Sequence, residues 1–353
     1  MTSNKLIRGT SDAPRSSSLS GGTAKTFTGV FGALILLSIT IILSFSLGAK
    51  SIPPVDVIQA LLGRGEDNIL AIVGQLRMSR TVIGLISGCA LGLAGALMQA
   101  ITRNPIADPG ILGVNAGAAL GVVVGILLTG SLGVTSTMAF AMVGAALAAG
   151  AVMLLSSSYA GASSPVRLTL SGVALAAILS GVTNAVVLSD ESVLDTFRFW
   201  QVGSLTSRPV AEAATFLPII AVGIVIALFM GAPLNALALG DDSAVALGSN
   251  PVRTRLVGLL AVTILCGGAT ALAGPISFVG LLAPHLVRRF TGPDLRRLIP
   301  LAMIVAPTIL LLSDILGRLL GSGSEVPVGI LCAFIGAPLL IILLRSRRSR
   351  SIS

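Results

Sequence analysis

The side chains able to do chemistry in this chain are few, charged, and set at the margins of long apolar runs. Arg77 and Arg80 stand three apart ahead of one run, Asp314 and Arg318 four apart near the end of another, and Asp108 and Glu325 complete the set. Charges at membrane depth are functional or paired. Residues four apart share a helix face, so Asp314 and Arg318 can neutralise each other. A proton relay would need carboxylates or histidines threaded through the bundle, and the first five apolar runs contain none. A proton-driven carrier is therefore disfavoured, though it stays open. His285 is the single histidine, so metal ligation would lack partners; it reads as a hydrogen-bonded residue at a span end, with intramembrane enzyme chemistry as the competing use. Cys89, Cys266 and Cys332 lie in apolar runs with no CxxC spacing and read as small packing residues. Neither a G-x-x-x-x-G-K-S/T phosphate loop nor an H-E-x-x-H zinc motif occurs, so the chain is not itself an ATPase of that class.

Helices must position these groups. With 54% hydrophobic and 10% charged residues over 353, the chain has too little polar surface for a soluble core. Its 41 glycines against one Trp and one Tyr argue for closely packed helices rather than a β-barrel with aromatic girdles. The expected fold is an all-α polytopic membrane protein of about ten transmembrane helices, at residues 27–47, 81–101, 110–128, 132–155, 168–188, 211–231, 255–273, 276–290, 299–319 and 326–344. The eighth is short enough to be re-entrant or tilted. Gly84, Gly88 and Gly92 line one face of the second span and predict a helix partner at backbone contact. Residues 1–26 read as a disordered basic tail, 27–344 as one transmembrane domain, and 345–353 as a second basic tail.

The formal charge of +9 sits at span ends, not along a soluble face with interleaved aromatics, so it reports topology and not nucleic acid. An even span count puts both termini on one side, and the positive-inside bias makes that side cytoplasmic. Arg77, Arg80 and Arg318 then fall outside. The outer connection 189–209 carries Val193, Phe197 and Trp200 at near-helical spacing, which suggests a short amphipathic helix. The inner segment 237–255 has aliphatic residues bracketed by Gly240 and Gly248 and reads as a short exposed helix.

These motifs, in this order, resemble the permease subunit of type II ATP-binding-cassette importers, the FecCD-type group that takes up ferric siderophores, haem and cobalamin. The resemblance rests on Arg77-x-x-Arg80, Gly95-x-x-x-Gln99, the run from Arg103 to Pro109 with Gly113 and Gly117, and Trp200 with Gly203-Ser204-Leu205. It continues through Leu237 to Gly240, Leu247-Gly248, Gly274 to Leu281 with Pro284-His285, Asp314-x-x-x-Arg318, Glu325-x-Pro327-x-Gly329, and Gly336-Ala337-Pro338. Met78 and Ser79 replace the usual Leu-Pro of the first motif, which removes a fixed φ but keeps the arginine spacing.

The resemblance implies a ten-span permease fold in the cell membrane and a second permease copy or paralogue. It further implies two ATP-binding subunits that hold the ATP and Mg, with no cofactor on this chain. An extracytoplasmic substrate-binding protein would deliver a ferric chelate, foremost a ferric siderophore, with haem or cobalamin as the alternative cargo. Arg77, Arg80 and Arg318 match the arginines that dock the binding protein, or otherwise anchor span ends at the headgroups. Leu239, Gly240, Asp241, Asp242, Ala244, Val245, Leu247 and Gly248 match the coupling helix that enters a groove on the ATPase; the bland alternative is a helix resting on lipid. Asn104 and Ile106, with Ser164, Pro165 and Val166, match the cytoplasmic gate, although Asn104-Pro105 would also serve as a plain turn.

Overall fold

The computed structural model describes residues 18–48, 50–130, 133–157, 165–206, 209–321 and 325–348, and every regular element among them is a helix. The order is α1 (Ser18–Ser46), α2 (Pro54–Leu61), α3 (Asp67–Ala71), a π-helical turn Ile72–Arg77, α4 (Met78–Ile101), a 3-10 turn Pro109–Leu112, α5 (Val114–Thr129) and α6 (Val134–Ser157). It continues with α7 (Pro165–Ser189), α8 (Glu191–Gln201), α9 (Val210–Ala214), α10 (Leu217–Phe229), α11 (Gly231–Ala238) and α12 (Asp241–Ala246). Last come α13 (Pro251–Ala273), α14 (Val279–Thr291), α15 (Leu295–Leu320) and α16 (Val328–Arg348).

Each of the ten expected spans carries a helix. Six helices among the described residues are long and apolar enough to cross a bilayer unaided, and α10 with α11 forms a pair bent by 48° that passes the same test together. The short eighth span is α14, with 13 residues. That is about 20 Å at 1.5 Å per residue, well short of a ~30 Å hydrocarbon core. The first helix starts at Ser18, ahead of the expected residue 27, while residues 1–17 and 349–353 of the two tails lie outside the described set.

The second span differs from expectation. It is continuous from Asp67 to Ile101, 35 residues including the π-helical turn, rather than beginning near residue 81. Asp67, Gln75, Arg77 and Arg80 dilute the hydropathy of its first turns, which hid them as helix. Ahead of it, α2 packs Val57 and Ala60 with Phe45, Ile52 and Val73 into a small separate core at this end of the bundle. The span expected at 211–231 is divided between α9 and α10 at Thr215 and Phe216, just before Pro218. Proline lacks a backbone donor and starts a helix more readily than it continues one.

Helix α4 is buried over most of its length and crosses α15 through the glycine face. A Cβ on Gly84 would lie 2.6 Å from Leu311 Cδ2, and one on Gly92 would lie 2.7 Å from the Ala302 carbonyl oxygen. At Gly88 it would meet the backbone of Pro307, and at Gly95 it would overlap the carbonyl of Gly280 on α14. The helix pair is thus locked by absent side chains, the device that replaces the hydrophobic effect where lipid tails are as apolar as leucine.

Candidate functional site

Helix α4 carries one polar group at each end, separated by about 36 Å for its 24 residues at 1.5 Å rise. The first group is built where α1 stops. The last carbonyls of a helix have no internal partner and carry partial negative charge. Arginines fill that role here. Arg318 Nη1 donates to the carbonyls of Ser44 and Leu47 at 2.9 and 2.8 Å, its Nη2 donates to Ser44 Oγ at 3.2 Å, and Arg77 donates to the carbonyls of Phe45 and Lys50. Gly48 leaves room for this, because a Cβ there would lie 3.2 Å from Arg77 Nη2.

Two carboxylates complete the cluster. Asp314 forms an ion pair with Arg318 at 3.0 Å across one turn of α15, and approaches Arg80 at 3.7 Å. Arg80 pairs in turn with Glu325, ahead of α16. Three guanidinium groups therefore face two carboxylates and the cluster stays net positive. Arg77, Arg80 and Arg318 are only 5, 9 and 5% exposed, whereas the Glu325 side chain is 43% exposed. The Asp314 and Arg318 partnership is the one the four-residue spacing implies. The inward aim of the arginines is not what the sequence suggested: Arg77 and Arg318 point onto the end of α1, and Arg80 onto Asp314 and Glu325. The missed signal is the Ser44 to Gly48 run, a helix end with no basic residue of its own in its last turn.

At the opposite end, α4 stops at Ile101 and Arg103 takes a left-handed backbone with φ 51°. Asn104 Oδ1 accepts from the Ile106 amide at 3.1 Å within a turn, and both Asn104 and Ile106 are exposed. Asp108 caps the next turn by accepting from the Gly110 amide at 2.8 Å. Helix α7 lies against that turn, with Gly172 under the Ile111 carbonyl. Pro165 opens α7, Val166 is exposed, and Ser164 lies outside the described residues.

Beside this turn sits α12, entered through Gly240 at φ 114° and left through Gly248 at φ 77°. Both angles belong to the region that favours glycine. Leu239, Val245 and Leu247 are 69, 61 and 64% exposed, and Asp242 is exposed as well. Ala244, expected on the groove-facing surface, is instead fully buried beneath the helix: in a six-residue helix one face must pack down, and the smallest side chain allows the closest seat. Asp241 also points inward. Its Oδ1 accepts from Arg103 Nη2 and from Arg255 Nη2, each at 2.8 Å. Burial alone would push the Asp241 carboxyl up, but the hydrogen bonds and charges of Arg255 and then Arg103 hold it below the ordinary carboxylate range.

Helix α8 seats Val193, Phe197 and Trp200 on the bundle as their spacing implied, with the two rings stacked at 5.9 Å. His285 is buried in α14, and no group of three or more His, Cys, Asp or Glu that could hold a metal occurs among the described residues. The arrangement as a whole sets a largely buried cluster of arginines and carboxylates at one end, a short helix with exposed aliphatic residues at the other, and the glycine-packed α4 between them.

The profile of the FecCD transport family matches residues 36–346. The chain is 46% identical over 330 residues to the ferric enterobactin transport system permease protein FepD of Escherichia coli strain K12, covering 93% of this chain and 98% of that one. It is 38% identical over 317 residues to the Fe(3+)-citrate import system permease protein YfmD of Bacillus subtilis strain 168, covering 90% and 94%. A metal-chelate type ABC transporter solved in an inward-facing conformation superposes with a TM-score of 0.79 at 28% identity, over 90% of this chain and 98% of that chain.

Proposed function

The chain belongs to the FecCD transport family, and on that premise we propose that it is the membrane-spanning subunit of an ATP-binding-cassette importer that moves a ferric chelate, foremost a ferric siderophore. It is a multi-pass membrane protein and a transport subunit. The cargo reading rests on the likeness to the ferric enterobactin permease over nearly the whole of both chains. Coupling to a separate ATPase rests on one observation, the short helix α12, which leaves Val245 and Leu247 exposed between Gly240 and Gly248, with Leu239 exposed just ahead of it. An aliphatic ridge on a short helix suits insertion into a groove on a partner. Two copies of that ATPase would sit beneath a pair of permeases, with both termini and the gate segments Asn104, Ile106, Ser164, Pro165 and Val166 on the cytoplasmic side.

A substrate-binding protein is assigned to the opposite end, at Arg77, Arg80 and Arg318. Those guanidinium groups are already engaged within the chain. A partner carboxylate would reach Arg80 by replacing Glu325, the most exposed member of the cluster. Docking becomes an exchange of carboxylates, which sets register and association rate more than affinity.

Both contacts are tested by affinity purification of the chain from cells that also make the ATPase and the binding protein. Deleting residues 241–247 is expected to release the ATPase while cargo-loaded binding protein is still captured. Arg80→Gln is expected to slow capture of the binding protein while the ATPase is retained. Retention of the ATPase by the deletion, or unaltered capture by Arg80→Gln, contradicts the corresponding contact.

A further inference from the structure

Helix α12 has six residues, too few to hold a helical form alone. Its attachment to the bundle therefore decides what a push on it can move. Ala244 seats it, and Asp241 ties it. One carboxylate oxygen of Asp241 accepts from two arginines on two different elements, Arg103 just beyond α4 and Arg255 in the second turn of α13. Arg255 is a buried anchor, with its side chain 9% exposed. Arg103 makes a second connection, donating to the Leu237 carbonyl in the last turn of α11.

The backbone of Arg103 supports the same reading. Among the described residues, only Arg103 and Phe278 are non-glycine residues with positive φ. Such a conformation persists where surrounding contacts over-determine it, and here Asp241 and the Leu237 carbonyl hold the side chain that the turn projects. The two helices joined at Asp241 are largely buried, and α4 begins at the arginine cluster on the far side of the bundle. Asp242, the next residue, is exposed, so the inward aim is specific to Asp241.

We propose that Asp241 is a strap: a positioning residue that carries displacement of α12 into α4 and α13 through Arg103 and Arg255, and not a contact with the ATPase. The proposal rests on α12 being the ATPase-coupling helix. It predicts that breaking the strap separates ATPase attachment from transport, because the aliphatic ridge that would hold the ATPase stays in place.

The test uses the full complex in proteoliposomes, with ATPase retention, binding-protein-stimulated ATP hydrolysis and uptake read together. Asp241→Asn keeps the size of the side chain and removes the charge. It should retain the ATPase in full yet lower stimulated hydrolysis and uptake about ten-fold, within the range typical of coupling between two sites. Asp241→Glu should restore most of both. Parent-like stimulation and uptake in Asp241→Asn would overturn the strap, and so would loss of the ATPase, which would make Asp241 a contact residue. If Asp241→Asn fails to fold, Arg103→Met decides: it keeps an unbranched side chain but removes the hydrogen bonds to both Leu237 and Asp241, so partial uncoupling supports the strap and full coupling overturns it. A parent complex without ATP-dependent uptake would instead overturn the importer reading.

Discussion

Gly95→Leu should leave no folded transporter. A Cβ at Gly95 would occupy the position of the Gly280 carbonyl, in the first turn of α14, so the obstacle is backbone on both sides. The contact is also pinned: one turn further along α4, Gln99 Nε2 donates to the Leu281 carbonyl at 3.2 Å. Relief would have to come from moving two helices apart, and α4 cannot retreat because its glycine face is already against α15. Overpacking of a tight core usually costs about 1–3 kcal/mol where side chains can yield. With backbone against backbone the cost should exceed about 4 kcal/mol, enough to exhaust much of a typical 5–15 kcal/mol stability. The measurement is the yield of monodisperse protein in detergent. Gly150→Ala is the matched control, because nothing lies within 4 Å of a Cβ there, and it should accumulate like the parent. Equal accumulation of Gly95→Leu would mean that α4 and α14 do not cross as described.

The second large effect is expected from Asp314→Ala. Its carboxylate is shared by Arg318, whose side chain is 3% exposed, and by Arg80. Removal leaves two buried guanidinium groups with only carbonyls, a hydroxyl and Glu325 to face. Breaking a buried pair from one side costs roughly 3–5 kcal/mol, because the remaining charge is stranded away from water. Glu325→Gln removes a charge from the same cluster, but at a side chain 43% exposed, where solvent screens the loss and about 1 kcal/mol or less is expected. Thermal unfolding of the purified protein should therefore rank Asp314→Ala far below Glu325→Gln. Equal midpoints would show that the cluster is solvated and that the inward aim of its arginines carries no stability.

Much of this molecule is legible in its residues because period and composition report directly on helices in a bilayer. The four-residue recurrence of Gly84, Gly88 and Gly92 foretells a partner helix at backbone distance, and α15 is that partner. Val193, Phe197 and Trp200 foretell the face of α8, and Gly240 with Gly248 foretells both ends of α12. What the sequence hides are choices made by distant backbone. Nothing near Arg77 or Arg318 in the chain says that their partners are the carbonyls at the end of α1, more than 25 residues away from the nearer of them. Nor does alternation within a six-residue helix reveal that Ala244 faces down while Val245 faces out. Helix α2 and the early start of the second span were obscured for a related reason. Asp56, Arg64, Glu66 and Asp67 lower the local hydropathy although the backbone there is largely helical. The strap at Asp241 depends on the left-handed turn of Arg103, a conformation with no signature in residue type.

The central claim, that this chain is the membrane subunit of an ATP-driven ferric chelate importer, is tested most directly by uptake of a ferric siderophore into proteoliposomes. These would contain the chain with its ATPase and face an added binding protein. The account predicts uptake that requires both internal ATP and the binding protein, and that persists in the presence of a protonophore. Uptake that continues without the ATPase and collapses with the protonophore would contradict it.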